Sequence, residues 1–428
     1  MHEIDTRPVA GHLRPHRGEI RQLDRFARNL LLHRLQALRV GRLVITDDLG
    51  RHEFGPAEEE LAANVFVADF RFYGALAFGG AIGAAEAFMQ GYWACDDLTR
   101  AVRVLVRNRD VLDGFEQGLA RVGKPVRKLL HWFNRNTRAG SRRNIAAHYD
   151  LGNEFFRLWL DETMMYSAAI FEHPDVSLRD ASVAKLDRIC RKLDLSADDH
   201  VLEIGTGWGG FAVHAAANYG CRVTTTTISR EQYEYARERV REAGLEDRVR
   251  LLLEDYRDLD GQYDKLVSIE MIEAVGHAYL DTYFAQCSRL LKPDGMMLLQ
   301  SITIADQRYD AALRSVDFIQ KYIFPGGFLP SVTALLQSIT RSSDARIYHL
   351  EDIGAHYATT LNRWRDAFRR HVDRFRAMGY TEEFLRMWHY YYCYCEGAFI
   401  ERAIGNVQML LVKPDCRRDP LVPPLAAK

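Results

Sequence analysis

The chain has 428 residues, 47% of them hydrophobic and 27% charged, with a formal net charge of −1 at pH 7. That length can hold two or three domains with cores of their own. The near-neutral balance gives no global field for nucleic acid, so no nucleic-acid partner is expected.

Seven cysteines fall at irregular spacings, so no metal site is expected, and reduced thiols in a cytoplasmic protein are. The start, Met1 to Asp5, does not read as a signal peptide. No apolar run is expected to be long enough to span a bilayer, so an enzyme acting on lipid would work from the membrane surface.

Residues 1–125 read as a small separate domain. Arg14 to Leu38 interleaves arginines with Leu23, Phe26, Leu30, Leu31, Leu35 and Leu38. This predicts an amphipathic helix whose basic face either touches anionic lipid or is simply solvated. Short strands are expected over 43–46 and 65–72, and a glycine turn over 78–83 opens a helix. Residues 126–143 read as a basic linker in which Trp132 and Phe133 contact a membrane or pack two domains together. The catalytic domain is expected over 144–428.

The most informative segment is Val201-Leu202-Glu203-Ile204-Gly205-Thr206-Gly207-Trp208-Gly209-Gly210. An apolar run ends in an acidic residue and a glycine-rich turn, and a helical pattern follows from Phe211. Glycines at 205, 207 and 209 let the backbone turn tightly and approach a ligand. Glu-x-Gly-x-Gly differs from the dinucleotide fingerprint and suits S-adenosylmethionine (SAM), with its amino acid tail and sulfonium cation. Further strands are expected over 222–228, 249–253, 266–269 and 296–303. Ser229 is placed to cap a helix, with Gln232 completing a capping box. Strands alternating with helices predict an α/β fold: a doubly wound, mostly parallel Rossmann-like methyltransferase sheet. Ligands bind beyond the carboxyl ends of such strands, which carry Glu203, Thr227, Asp255, Glu273 and Gln300. After the fifth strand come an aromatic, proline-stiffened loop over 322–330 and helices over 359–371 and 382–398, which would form a lid on the sheet.

These motifs match a family. The chain resembles the cyclopropane-fatty-acyl-phospholipid synthases, relatives of the mycolic acid cyclopropane synthases, from about Gly79 to Lys413. The resemblance is carried by the run from Gly80 to Trp93, by His148-Tyr149-Asp150-Leu151-Gly152-Asn153, by Tyr166-Ser167 and by the glycine turn. It continues through Thr227-Ile228-Ser229 with Gln232, Asp255-Tyr256-Arg257-Asp258, Val275-Gly276-His277, Tyr322 to Ser331, and Tyr357 with Thr359-Thr360-Leu361. It implies a SAM site made by Tyr166, Ser167, Glu203, Gly205, Gly207, Trp208, Gly209, Thr227, Ser229, Gln232, Asp255 and Tyr256. It also implies an unsaturated phospholipid or fatty acyl substrate and a homodimer working peripherally at the inner face of the membrane.

The chemistry implied is demanding. A cis alkene attacks the SAM methyl and becomes a carbocation; water must be excluded, and a base must then remove a proton. In the family that base is thought to be a bound bicarbonate, cradled by a cysteine, a glutamate, a histidine, an isoleucine backbone group and a tyrosine. By motif, the glutamate is Glu273, the isoleucine Ile302 and the tyrosine Tyr357. The cysteine is replaced by Ala168 and the histidine by Gln300, and Ala274 replaces a further histidine. A weakened or rebuilt cradle leaves two outcomes open: ring closure with Glu273 or another anion as base, or a methylene- or methyl-branched chain. Cys395 matches a cysteine proposed as a family nucleophile; a buried thiol in an apolar helix is the alternative. Two rival classes remain: a small-molecule N- or O-methyltransferase, and a lipid-binding protein without catalysis.

Overall fold

The computed structural model describes residues 20–57, 59–110, 151–419 and 421. The linker expected over 126–143, and His148 and Tyr149, lie outside them. The chain forms two compact units. One gathers Met1–Phe133, Ser315–Ile323 and Leu361–Ala403; the other gathers Asn134–Arg314, Phe324–Thr360 and Ile404–Lys428.

In the first unit the described strands β1 (Arg42–Asp47), β2 (Gly50–Phe54), β3 (Ala62–Val67) and β4 (Trp93–Cys95) form a sheet in the order β2-β1-β3-β4. The strand expected over 65–72 stops at Val67. Fully buried Asp69 accepts the Arg71 N–H at 2.9 Å, and a helix, Arg71–Met89, begins there. By length and composition this helix could cross a bilayer, which corrects the expectation that no such segment exists. In the structure it packs as a core helix: 56% of its apolar window is buried, and Gly80 (φ 60°, ψ −143°) breaks it. The glycine turn expected over 78–83 is that kink.

Helix Gln22–Leu35 buries Leu31 and Leu35 but leaves Leu23 and Phe26 more than half exposed. Its arginines are not uniformly solvated: buried Arg28 donates to Asp47 at 2.5 Å. Helix Glu382–Ile400 packs on helices Leu98–Arg107 and Arg71–Met89. A Cβ on Gly397 would come within 2.7 Å of Val102, so glycine permits that approach. These C-terminal helices, read from sequence as part of 144–428, thus gather with the N-terminal elements.

The second unit is built on β5 (His200–Ile204), β6 (Arg222–Thr226), β7 (Val249–Leu252), β8 (Tyr263–Ile269), β9 (Leu291–Ile304), β10 (Arg346–Asp352) and β11 (Ile404–Val412). Their order is β10-β11-β9-β8-β5-β6-β7. Strands β5 to β9 are parallel neighbours, and β11 runs antiparallel between β9 and β10. Alternation along β5 feeds two cores. Leu202 and Ile204 join Leu266, Leu299 and Met409 on one face; Val201 joins Val223, Leu298 and Leu410 on the other. Helices pack in both layers, which is the doubly wound arrangement the sequence predicts.

Candidate active site

The carboxyl end of β5 leads into the glycine turn. Gly205 (φ 103°) and Thr206 donate backbone N–H groups to Thr226 O at 3.0 Å, tying the turn to β6. Gly207 (φ 51°) has no atom within 4 Å of an added Cβ, so it faces open space, whereas Gly209 (φ 82°) packs on Ala236. Helix Gly210–Tyr219 follows. Trp208 is buried, and its indole N–H donates to Asn153 Oδ1 at 2.7 Å.

Glu203 is 3% exposed and receives Thr225 Oγ1 at 2.6 Å. Burial pushes its carboxyl up to about 8, against that hydrogen bond and the charge of Lys185. A buried carboxylate so short of positive charge fits a ligand that brings a cation. Just after β6, Thr227 Oγ1 donates to Gln232 Oε1 at 3.1 Å and accepts Ser229 N–H at 3.1 Å, while Ser229 Oγ accepts Gln232 N–H at 3.3 Å. Ser229 therefore caps helix Arg230–Glu242 as expected, but the Gln232 side chain turns to Thr227 instead of closing the box. After β7, Asp255 takes a two-pronged ion pair from Arg257, at 2.8 and 2.6 Å. Burial raises the neighbouring Tyr256 phenol.

A second cluster sits at the ends of β8, β9 and β11. Glu270 Oε1 accepts Ala168 N–H at 3.0 Å, Gln300 Nε2 at 2.8 Å and Asn406 Nδ2 at 2.5 Å. Its Oε2 accepts Tyr357 Oη at 2.9 Å. Gln300 is oriented from behind: its Oε1 accepts Gln408 Nε2 at 3.0 Å, and Gln408 accepts Lys192 Nζ at 2.8 Å. Glu270 has φ 49°, a backbone region that costs a non-glycine residue free energy. Glu273 Oε1 accepts Ile302 N–H at 2.5 Å and Ser301 Oγ at 3.1 Å, whereas its buried Oε2 has no hydrogen-bond partner among the described residues. Burial first, then repulsion by Glu270, pushes Glu273 up to about 8.

The segment 153–171 supplies the remaining wall. The Tyr166 ring meets Phe156, Trp159 and Phe324 at 5.8, 5.1 and 6.0 Å between centroids. Ser167 Oγ accepts the ammonium of fully buried Lys185 at 2.9 Å. Burial draws that lysine down to about 8, against the attraction of Glu270, Asp161 and Glu203.

Residues 136–409 match the family model of mycolic acid cyclopropane synthetase. The chain belongs to this family. It is 39% identical over 352 residues to the tuberculostearic acid methyltransferase UfaA1 of Mycobacterium tuberculosis, covering 78% of this chain and 79% of that one. It is 40% identical over 333 residues to the cyclopropane-fatty-acyl-phospholipid synthase of Escherichia coli, covering 77% and 83%. Among solved structures it resembles the cyclopropane synthase MmaA2 of Mycobacterium tuberculosis (TM-score 0.60, 31% identity). It also resembles the mycolic acid cyclopropane synthase CmaA1 complexed with SAH and CTAB (TM-score 0.59, 31% identity). Each match covers 64% of this chain and 98% of the other. The protein is a SAM-dependent methyltransferase, and the buried Glu203 carboxyl, raised by its burial, and the open space at Gly207 fit that cofactor.

Glu203, Gly205, Gly207, Trp208, Gly209, Thr227, Ser229 and Gln232 thus lie on the two strand ends and the turn they bracket, with Asp255 and Tyr256 at the next strand. Tyr166 and Ser167 are on the wall segment. Gln300, Ile302, Tyr357 and Glu273 share the second cluster. Cys395 is on helix Glu382–Ile400 in the other unit, where burial raises its thiol; a thiol held protonated is a poor nucleophile.

Bicarbonate, implied by the resemblance, does not fit these residues. Gln300, Tyr357 and the Ala168 N–H spend their donors on Glu270, and Ile302 N–H spends its own on Glu273. A second anion would also be repelled by the charge of Glu270. Sequence reasoning missed Glu270, Asn406, Gln408 and Lys185. Glu270 had a local signal, two carboxyl residues three apart just after an apolar strand. The other three reach their partners only through the tertiary fold.

Proposed function

We propose that this enzyme transfers the methyl group of SAM to a cis double bond in an unsaturated fatty acyl chain of a phospholipid, closing a cyclopropane ring. The observation that carries the reading is the pair of neighbouring carboxyl groups, Glu270 held by four donors and Glu273 raised by burial. An N- or O-methyltransferase needs at most one base for a proton already on a heteroatom. Carbon methylation must remove a C–H proton from a cation that water would quench, and this calls for a desolvated carboxylate. Both relatives near 40% identity are named for fatty acyl products, which supports the same substrate class.

SAM supplies the methyl group when bound. The glycine turn and Glu203 hold the cofactor's amino acid end and neutralise positive charge; Thr227 and Gln232 offer hydroxyl and amide groups to its ribose. The faces of Tyr166 and Phe324 suit a substrate on which positive charge develops.

A second reading, methylation without ring closure, is favoured by Ala168 and Gln300 at two cradle positions and by similarity to a relative named as a tuberculostearic acid methyltransferase. The acyl chain would be taken from the cytoplasmic face of the membrane.

The test is purified protein with methyl-labelled SAM offered to vesicles of unsaturated phospholipid, to saturated vesicles, and to soluble amines and phenols. Label entering only the unsaturated lipid is the expected result. Label in a soluble acceptor instead would overturn the reading.

A further inference from the structure

We infer that the side chain of Glu270 stands in the place of the family's bound anion and is the proton acceptor of the reaction, so that turnover needs no bicarbonate. The inference rests on the proposed carbon methylation. Four donors from two strands, a helix and the wall segment converge on this one carboxyl group, and three of them belong to positions that the family resemblance assigns to the anion's cradle: Ala168, Gln300 and Tyr357. The fourth, Asn406, is fully buried on β11. The replacements of cysteine and histidine are then two parts of one change. A fixed carboxylate needs an amide donor at Gln300, and it leaves no room for chemistry from a thiol at Ala168. The left-handed backbone at Glu270 fits a residue kept for its side chain, because a glycine would adopt that conformation without strain.

The two oxygens are not equivalent. Among the described residues Oε1 takes three donors and is saturated, whereas Oε2 takes only Tyr357 Oη, which leaves it a lone pair. The π pair of the alkene bonds to the methyl carbon as the S–CH3 bond breaks, and the S–C pair stays on sulfur as S-adenosylhomocysteine forms. The substrate now carries one positive charge. Glu270 Oε2 takes a proton from the transferred methyl, and the released C–H pair closes the ring on the cationic carbon. If a hydride shift comes first, the same pair forms a methylene double bond. The carboxyl group ends neutral and gives its proton to solvent before the next cycle. Buried Lys185, beside Ser167, supplies a compensating positive charge.

The test compares wild type, Glu270→Gln and Glu270→Gly in buffer stripped of carbon dioxide, with and without added bicarbonate. The expected result is a wild-type rate unchanged by stripping, and a loss of about 100-fold or more in Glu270→Gln with SAM affinity preserved. Glu270→Gly relieves the backbone strain but leaves four donors without their acceptor, so a thermal melt is read beside its rate, and a lost rate in a folded variant reports chemistry. A wild-type rate that falls on stripping and returns with bicarbonate overturns the inference, as does Glu270→Gln keeping half the wild-type rate. Binding of 13C-bicarbonate, followed by NMR in the presence of S-adenosylhomocysteine, reads the same claim without any lipid substrate. Binding by Glu270→Gly but not by wild type supports it, and saturable binding by wild type overturns it. A protein that methylates no lipid would therefore sink the proposed function while leaving this arm to judge Glu270.

Discussion

Glu270 and Glu273 lie three residues apart after β8, yet their carboxyl groups have opposite surroundings. Four donors satisfy Glu270, whereas Glu273 Oε2 is buried without a hydrogen-bond partner among the described residues. Burial and the charge of Glu270 hold Glu273 up to about 8, so it carries a proton at neutral pH. Two nearby acids separated in this way divide the work: one accepts protons and the other stays neutral. Glu273→Gln, which mimics the neutral form, should keep turnover at pH 7 within about tenfold of wild type, whereas Glu270→Gln should not. Steady-state rates of the two variants check this, and equal losses would contradict the division.

The same raised group has a consequence for stability. Its folded value lies above the unfolded one, so between about 4.5 and 8 the folded chain holds a proton that the unfolded chain has released. Stability from this group is full below that window and declines as pH rises through it. Glu203 behaves alike. Denaturant melts from pH 5 to 8 should show a shallower decline for Glu273→Gln than for wild type; identical slopes would refute the assignment.

SAM binding should depend on pH through Glu203. The free protein holds this carboxyl protonated below about 8, and a cationic ligand favours the ionised form. Affinity should rise by up to about tenfold per pH unit between 6 and 8. Glu203→Gln should weaken binding and flatten the profile. Calorimetry across that range is the check.

Gly205 and Gly207 predict contrasting variants. Alanine at Gly205 meets Met271 at 3.1 Å with φ at 103°, so Gly205→Ala should lower stability and SAM affinity together. Gly207→Ala meets nothing within 4 Å, and its backbone cost is about 1 kcal/mol. Its melting temperature should fall only a little, while SAM affinity falls tenfold or more because the new methyl enters the ligand's space. Thermal melts paired with SAM titration separate the two.

Leu23 and Phe26 are exposed on helix Gln22–Leu35, beside exposed Arg21 and Arg25. Such a face suits insertion into an anionic lipid surface. Replacing both with alanine should reduce flotation with anionic vesicles by about tenfold or more and leave SAM binding intact. Vesicle binding indifferent to the substitutions, or to anionic lipid, would contradict a docking role.

The sheet and the cofactor turn were readable because their determinants are local. Glycine spacing after an apolar strand, the Ser229 cap and alternation of strand and helix all act within a few residues. Strands β10 and β11 were not read: β11 follows a long helical stretch and reaches β9 from the far end of the chain, so no local pattern fixes its register. The cradle was read as a set of positions, with Gln300, Ile302 and Tyr357 in it, but its centre was not. Glu270 acquires its meaning from Ala168, Tyr357 and Asn406, which are 87 to 136 residues distant in sequence. Glu270 lies outside the matching motifs, so its convergence with the cradle positions is visible only in the fold.

The measurement that most directly tests the account is mass spectrometry of lipids from cells making this chain or its Glu270→Gln variant, fed methionine deuterated in its methyl group. The expected product is an acyl chain one methylene heavier that keeps two of the three deuteriums, present with wild type and absent with the variant. Resistance to mild hydrogenation would mark it as a ring. Unlabelled lipids with wild type, or the same labelled product from the variant, would contradict it.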